Sequence, residues 1–238
     1  MKQNDPLRDS LDKLKIQYND EQIEQFRSYY ELLTEWNKKI NLTAINGYED
    51  VVRKHFIDSI LICSLLDLNK DIRIIDVGTG AGFPGIPIKI LNPDCRIVLL
   101  DSLNKRVRFL ETVVDELGLD NVECIHGRAE DVSREKKYRS SFDLSVSRAV
   151  ANLSTLCEYC IPFLKKGGMF VSYKSDKADD EINGSENAVR TLGSEITSVK
   201  EITLPETDIV RKFVMITNKK QVSNIYPRKA GIPAKDPL

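Results

Sequence analysis

With 238 residues, 41% of them hydrophobic and 30% charged, the chain has the composition of an ordinary soluble globular protein with an ample core. Its formal net charge of −1 gives no global sign of a nucleic-acid partner, so local charge must carry any such argument. The N-terminus has no apolar signal core and no run approaches the roughly 18 apolar residues of a membrane span, so no membrane partner is expected.

Residues 1–70 predict a helical extension ahead of the main fold. Asp5 followed by Pro6 is typical of a helix N-cap with proline in the first turn, and Leu7, Leu11 and Leu14 then share one helical face. A third helical pattern runs over about residues 51–66.

Between these first and third helices, Asn19 or Asp20 is expected to cap a second helix. Its apolar positions recur at intervals of three and four, at Phe26, Tyr29, Tyr30, Leu33 and Trp36. Residues 36–43 have no clear period, and we interpret Asn41 and Thr43 there as turn and cap residues.

From residue 72 the pattern changes to alternating strands and helices. Such alternation predicts an α/β fold with short connections, right-handed crossovers and a mostly parallel sheet. The predicted strands cover residues 72–77, 96–100, 122–125, 143–146, 169–173, 195–204 and 209–217, and the last two can form an antiparallel hairpin at one edge. The predicted helices cover residues 84–91, 103–117, 152–164 and roughly 177–192.

The stretch IIDVGTGAGFPG (74–85) organises this pattern. A buried strand runs into a turn with Gly78, Gly80 and Gly82, where backbone can turn tightly and approach a ligand without a Cβ in the way. The next strand ends in Asp101, close to the spacing of about 20 residues at which a carboxylate can bind ribose hydroxyls. Together these features predict a nucleotide-type ligand at the carboxyl edge of the sheet.

Other strand ends are expected at the same edge. The third strand leads into residues 126–131, the fourth into 147–150 and the fifth into 173–175. Purely structural roles remain open for several of them. Glu130 or Asp131 could only cap a turn, Arg148 could only pair with Asp76 or Asp143, and His126 could be a structural histidine.

The glycine turn departs from the dinucleotide pattern G-x-G-x-x-G, because Phe83 stands three residues after Gly80. A ligand with an adenosine and an amino-acid end, but no pyrophosphate, suits the turn better, and S-adenosylmethionine is such a ligand. Asp76 or the turn backbone could hold its amino group, Asp101 its ribose, and Ala129 with Glu130 its adenine.

The tail, residues 219–238, carries five cations against Asp236 alone, with Tyr226 among them and prolines that keep it extended. It could be a solvated end or could follow an RNA phosphate backbone.

The five cysteines form no regular framework, which indicates free thiols in a reducing compartment and a cytoplasmic protein. Cys157 and Cys160 lie in a helical pattern and are interpreted as core residues, and no metal site is predicted.

The chain resembles the ribosomal small-subunit methyltransferase G family, also called glucose-inhibited division protein B, over nearly its whole length. The stretches that carry the resemblance are WNKKINLTAI (36–45), KHFIDSI (54–60), IDVGTGAGFPGIP (75–87), DSLNKRVRFL (101–110), GRAED (127–131), SRAVA (147–151) and YPRKAGIPAKDPL (226–238). The resemblance implies a class I S-adenosylmethionine-dependent methyltransferase fold, a Rossmann-like seven-stranded sheet with one antiparallel edge strand and an N-terminal helical extension. We expect three segments along the chain: helices in 1–70, the methyltransferase core in 71–218 and a basic tail, packed on or near the core, in 219–238.

The resemblance also implies an activity and its site. Family members methylate N7 of one guanine in 16S ribosomal RNA within the small subunit or its precursor. By resemblance, cofactor contacts are expected at Gly78, Phe83, Ala129, Glu130 and Arg148, and the glycine turn and the end of the second strand add Gly80 and Asp101. RNA contacts are expected at Asn41, His55, Lys174, Arg228 and Lys229.

Guanine N7 carries a lone pair and no proton, so transfer needs no general base, and no catalytic residue is assigned; catalysis is expected to be mainly placement. A monomer is expected. Truncation after Asn218 is expected to weaken RNA binding without affecting cofactor binding. Three alternatives remain: a nicotinamide-dependent dehydrogenase, a non-catalytic RNA-binding or regulatory module, and a small-molecule methyltransferase.

Overall fold

The computed structural model describes residues 5–68 and 71–238, and in this part of the chain seven strands form one sheet. The strands are β1 (Arg73–Val77), β2 (Arg96–Asp101), β3 (Val122–His126), β4 (Phe142–Arg148), β5 (Leu164–Ser175), β6 (Ser194–Thr203) and β7 (Val210–Asn218). Their order across the sheet is β3-β2-β1-β4-β5-β7-β6. The predicted α/β architecture is therefore confirmed.

The five strands from β3 to β5 pair in parallel, whereas β7 runs antiparallel to both of its neighbours. The hairpin predicted for the last two strands is confirmed at the edge of the sheet, with β6 outermost. Because the chain moves outward from β1 to β2 and β3 and then returns to β4, the strand order reverses between β1 and β4. This reversal leaves a crevice at the carboxyl ends of the two strands.

The helices in the described residues are α1 (Pro6–Leu14), α2 (Asp20–Ile40), α3 (Tyr48–Val51), α4 (Asp58–Ile60), α5 (Gly85–Leu91), α6 (Asn104–Glu116), α7 (Ala129–Val132), α8 (Leu153–Cys160), α9 (Asp179–Gly184), α10 (Glu186–Thr191) and α11 (Ile232–Lys235). Both predicted N-caps are confirmed. The Asp5 carboxylate accepts from the Leu7 amide at 3.0 Å, and Asn19 and Gln22 form a reciprocal capping box.

Two predicted helices are less regular than their periodicity indicates. The helix predicted over residues 51–66 is a series of short segments, in which a π-helical turn, Val52–Ile57, separates α3 from α4 and a 3₁₀ turn, Leu61–Ser64, follows. The helix predicted over 177–192 is split into α9 and α10. Gly184 and Ser185 have low helix propensity, and the Ser185 hydroxyl donates to the Ile182 carbonyl at 2.7 Å, which closes α9.

Two hydrophobic cores lie on opposite faces of the sheet. Ile74 and Leu99 point to one face, where α1, α2, α5, α6 and residues 51–62 cover them. Ile75 and Val98 point to the other face, where α8, the region of α9 and α10, and side chains of the tail cover them. The two ends of the chain therefore pack on opposite faces of one sheet.

Candidate functional site at the carboxyl edge of the sheet

A cleft of about 250 Å³ opens at the carboxyl ends of β1 and β2, beside the point where strand order reverses. The ends of β1 and β2, the segments that follow β3 and β4, and side chains of α8 and α11 form its walls. Of the predicted cofactor residues, the cleft is lined by Gly78, Asp101, Ala129 and Glu130. The structure thus brings together residues that the sequence places up to 52 positions apart.

The turn after β1 requires glycine for two different reasons. Gly78 has φ +74°, and a Cβ there would lie 2.6 Å from Cγ2 of Val150, which packs over the turn. Gly80 has φ +63°, but a Cβ there would meet only the Gly78 carbonyl oxygen at 4.0 Å. The backbone at Gly80 therefore borders open space, which a ligand can approach closely.

Asp101 stands at the end of β2 and is almost completely buried. Its Oδ2 accepts from the Gly80 amide and its Oδ1 from the Leu103 amide, both at 2.9 Å, while Nη1 of Arg106 lies 3.4 Å from Oδ2. These donors fix the carboxylate in the wall of the cleft. Because a carboxylate accepts about four hydrogen bonds, it retains capacity for hydroxyl groups of a ligand.

Asp76 lies underneath the turn and is fully buried. Its Oδ2 accepts from the Thr79 hydroxyl at 2.6 Å and from the Gly85 amide at 2.8 Å, which ties the turn to the start of α5. Burial raises the pKa of this carboxyl to about 7. Its Oδ1 has no hydrogen-bond partner among the described residues, so it could accept from a ligand ammonium group or from water.

Glu130 lies in the first turn of the short helix α7 and is also buried. Its Oε1 accepts from the amide of Gly231, in the tail, at 2.9 Å. The side chain therefore binds the C-terminal segment at the cleft. That Glu130 and Ala129 hold an adenine stays a prediction.

Arg148 ends β4, and its expected partners are wrong: it pairs with neither Asp76 nor Asp143. Asp143 lies at the opposite end of the same strand, where it accepts from the Arg73 amide and pairs with Lys165. The partner of Arg148 is Asp58, whose Oδ2 lies 2.8 Å from Nη1 of the arginine.

Asp58 is buried and also pairs with a second arginine. Its Oδ1 lies 2.7 Å from Nε of Arg211, on β7. One carboxylate of the N-terminal segment thus joins the ends of two strands. Sequence reasoning missed both residues, although Asp58 lies in the stretch KHFIDSI, and Arg211 carries no motif signal at all.

His55 completes this cluster from the π-helical turn. Its ring stacks on Phe83 with centroids 4.5 Å apart, its Nε2 lies 2.8 Å from the Thr43 hydroxyl, and its Nδ1 lies 3.4 Å from Nη2 of Arg148. Burial, reinforced by the positive charge of Arg148, lowers the pKa of His55 to about 4. The imidazole is therefore neutral at pH 7. Phe83, the residue that breaks the dinucleotide pattern, attaches the glycine turn to the N-terminal helices.

Tyr29 makes a second such attachment that the sequence did not indicate. It is fully buried in α2, its ring lies 5.5 Å from that of Phe83, and its hydroxyl donates to the Ala81 carbonyl in the turn. Periodicity identifies Tyr29 as a core residue, but the polar contact depends on how α2 crosses the sheet.

The five predicted RNA contacts are dispersed. Asn41 is exposed and ends α2 with φ +49°, and Lys229 is exposed in the tail. The ammonium of Lys174 donates to the Ala151 carbonyl at 2.8 Å and to Glu181 at 2.6 Å. Arg228 pairs with Glu158 at 2.8 Å. Their RNA contacts, like that of His55, stay predictions.

Other predicted features have plain structural positions. His126 is exposed, with Nε2 3.1 Å from the Ser102 carbonyl oxygen. Cys157 and Cys160 are buried free thiols, which confirms their interpretation as core residues. In residues 5–68 and 71–238 no group of three or more metal-ligating side chains comes together. None of the helices described is both long and apolar enough to cross a bilayer.

Comparison with known proteins gives consistent results. The family model for rRNA small subunit methyltransferase G matches residues 22–210. The ribosomal RNA small subunit methyltransferases G of Clostridium botulinum (strain Loch Maree, type A3) and Alkaliphilus metalliredigens (strain QYMF) are both 47% identical over 232 residues, covering 98% of this chain and 97% of theirs.

Solved structures show the same fold at much lower identity. The TYW2 protein of M. jannaschii, crystallised with AdoMet, superimposes with a TM-score of 0.54 at 14% identity, covering 74% of this chain and 79% of its own. The [4+2]-cyclase SpnF superimposes with a TM-score of 0.58 at 13% identity, covering 81% of this chain and 94% of its own. Since a cyclase shares the class I methyltransferase fold, the fold alone does not assign a reaction.

Proposed function

This chain belongs to the rRNA small subunit methyltransferase G family, and on that premise we propose that it transfers a methyl group from S-adenosylmethionine to N7 of one guanine in 16S ribosomal RNA. The product of the cofactor would be S-adenosylhomocysteine. The observation that carries the proposal is the cleft at the reversal of strand order, in which Asp101 and the turn at Gly78–Gly80 meet. This is where ligands bind in open parallel sheets.

The residues of the cleft fit an adenosine with an amino-acid end. Asp101 offers carboxylate oxygens for ribose hydroxyls, and the apolar residues Leu100 and Ala129 line the same cleft, where a base could pack. Gly80 leaves room for close approach, and the unpartnered Oδ1 of Asp76 is an acceptor beneath the turn. When bound, S-adenosylmethionine supplies an electrophilic methyl group on a positively charged sulfur.

The chemistry of the acceptor decides what the protein must do. Guanine N7 is unprotonated and has an in-plane lone pair, so no residue has to remove a proton before transfer. Because His55 is neutral at pH 7 and stacks on Phe83, we assign it a packing role in the site. We infer that the chain contributes placement, which can account for a large share of a methyl-transfer rate.

We propose that Arg148 helps to shape the site for the cofactor and the guanine. It is held by Asp58 and lies over the Phe83 ring at 5.1 Å; Arg148 itself does not line the cleft, but Val150 and Ala151, two and three residues further along the chain, do. We propose that the target guanine enters beside this segment after extrusion from folded RNA. Lys174 supports the same segment through the Ala151 carbonyl.

RNA contacts are proposed for Asn41, His55, Lys174, Arg228 and Lys229. Exposure supports Asn41 and Lys229 directly, while Lys174 and Arg228 are engaged by carboxylates and would bind phosphates only with their remaining donor capacity. Phosphate contacts make binding fall as salt rises. We propose a monomer that acts in the cytoplasm on the small subunit or its precursor.

The decisive experiment uses small subunits from cells that lack the modification. Incubation with methyl-labelled cofactor should place one label per subunit, and borohydride reduction followed by aniline should cleave the RNA at a single N7-methylguanine. An Arg148→Ala variant should lower the rate at least tenfold. Label at an exocyclic amine or on a pyrimidine, or no label at all, would overturn the proposal.

The alternatives are less well supported. A dehydrogenase would need the G-x-G-x-x-G spacing that Phe83 interrupts. Membership of the methyltransferase family disfavours a non-catalytic binding module and a small-molecule enzyme.

A further inference from the structure

The C-terminal tail lies against the core, where two core arginines hold it by its backbone. Arg139 donates to the carbonyls of Val222 and Ser223, both at 3.1 Å, and to that of Tyr226 at 3.0 Å. Arg134 donates to the Asn224 carbonyl at 3.1 Å and also to that of Pro227. These contacts depend on the path of the tail and not on its basic side chains.

A buried ion pair then fixes the position of the tail along the core. The guanidinium of Arg228 meets the carboxylate of Glu158, on α8, at 2.8 Å and 3.0 Å, and the Arg228 amide donates to the same carboxylate at 2.5 Å. Glu158 is only 1% exposed at its side chain, so the pair is largely withdrawn from water. A bidentate pair of this kind sets geometry as well as charge.

Beyond this pair the chain turns into the cleft. We define residues 230–238 as the C-terminal strap. The Gly231 amide donates to Glu130 at 2.9 Å, and the Thr155 hydroxyl donates to the Pro233 carbonyl at 3.0 Å. Helix α11 then places Ala234 in the wall of the same cleft as Asp101 and Gly78.

We propose that the C-terminal strap is part of the cofactor site and closes it on the side of Glu130, an inference that rests on the proposed function. Removal of the strap deletes one wall of the cleft and leaves the buried Glu130 carboxylate without its backbone donor. Cofactor affinity therefore depends on the tail. The sequence analysis expects truncation after Asn218 to leave cofactor binding unaffected, whereas this proposal predicts that cofactor binding depends on residues 230–238.

The size of Ala234 gives the sharpest test. A large side chain at this position projects into space that the ligand would occupy, whereas the same change at Ile232, exposed on the same helix and outside the cleft, does not. Ile232→Trp is therefore a matched control for Ala234→Trp. A third variant, deletion of residues 230–238, keeps the Arg228–Glu158 pair and both arginine contacts.

Calorimetric titration with S-adenosylhomocysteine measures the effect in the full chain. We expect Ala234→Trp to weaken binding at least tenfold, the deletion at least fivefold, and Ile232→Trp less than twofold. If both Ala234→Trp and the deletion bind with wild-type affinity, the strap is not part of the cofactor site, and the proposed function is unaffected. Failure of the wild-type chain to bind would overturn the cofactor assignment itself. Thermal unfolding without ligand verifies folding, and Ala234→Trp carries the test if the deletion does not fold.

Discussion

The two ends of this chain pack on opposite faces of the sheet and support the cleft by different means: the N-terminal helices contact the glycine turn, whereas the tail contributes a residue to the wall of the cleft. The N-terminal helices bury aromatic side chains such as Phe26, Tyr29 and Phe56 in a shared core. The tail is held mainly by polar contacts, to Arg134, Arg139 and Glu158.

The N-terminal helices are therefore a fixed support, whereas the tail can detach from the core. Burial of large apolar side chains contributes roughly 1.5–3 kcal/mol each, so the N-terminal helices and the sheet should unfold together. The tail buries fewer apolar side chains, namely Val222 with parts of Tyr226 and Leu238, so it can open locally at lower cost. We therefore expect changes on the N-terminal side to alter global stability, and changes on the tail side to alter the cleft first.

The largest effect is expected at Asp58. Its replacement by Asn leaves Arg148 and Arg211 facing each other without the buried carboxylate, and loss of one member of a buried ion network costs about 3–5 kcal/mol. Urea unfolding measures the change. Asp50→Asn, which breaks an exposed pair with Lys54, is the control and should change stability little. Equal effects of the two variants would contradict the network.

Next in size is Arg228→Ala, which leaves Glu158 buried without its charged partner and costs about 3 kcal/mol. If the tail opens locally, hydrogen exchange should accelerate over residues 222–238 while the sheet stays protected. Lys229→Ala, at the exposed neighbouring position, should leave exchange unchanged. Uniform acceleration through both cores would mean that the tail is as integral as the N-terminal helices.

A smaller effect is expected from the neutral His55. Its pKa is about 4 when folded and near 6.5 when unfolded, so the unfolded state binds the proton first as pH falls. Stability from this group is present above pH 6.5 and is lost as pH falls towards 4.

The measurement compares wild type with His55→Gln by urea unfolding at several pH values. The comparison is needed because Asp76, with its raised pKa of about 7, acts in the opposite direction: its burial lowers stability as pH rises from 3.8 to 7. The difference between the two proteins should shrink as pH falls below 6.5. A difference independent of pH would show that His55 is not buried as a neutral ring.

The smallest effect is expected at Tyr29. Tyr29→Phe removes the hydroxyl that donates to the Ala81 carbonyl and should cost about 1–2 kcal/mol. Because that bond holds the glycine turn, cofactor affinity should also fall a few-fold. Tyr30→Phe, at a partly exposed position next to it in the same helix, is the control for both measurements. Unchanged cofactor affinity in Tyr29→Phe would show that the glycine turn does not depend on this contact with α2.

The amino-acid sequence by itself determined the order of strands and helices, the glycine turn, and the position of Asp101 at the next strand end. These features depend on neighbours within a few residues: apolar periodicity, capping chemistry at Asp5 and Asn19, and a turn that only glycine adopts easily. The resemblance over seven stretches likewise identified the family. The π turn at 52–57 and the break between α9 and α10 were not predicted, because apolar periodicity alone does not show a local change of helix type or a poor helix former such as Gly184.

Only the tertiary structure decided which charged groups meet. With 35 basic and 36 acidic residues, the sequence allows many pairings, and it offered Asp76 or Asp143 for Arg148 where the fold supplies Asp58 from 90 residues away. In the same way Glu130 binds Gly231 across 101 residues, which brings the tail into the wall of the cleft. An ion pair or a hydrogen bond requires contact within about 3 Å, and for residues so distant in the chain that contact is set by how the elements pack.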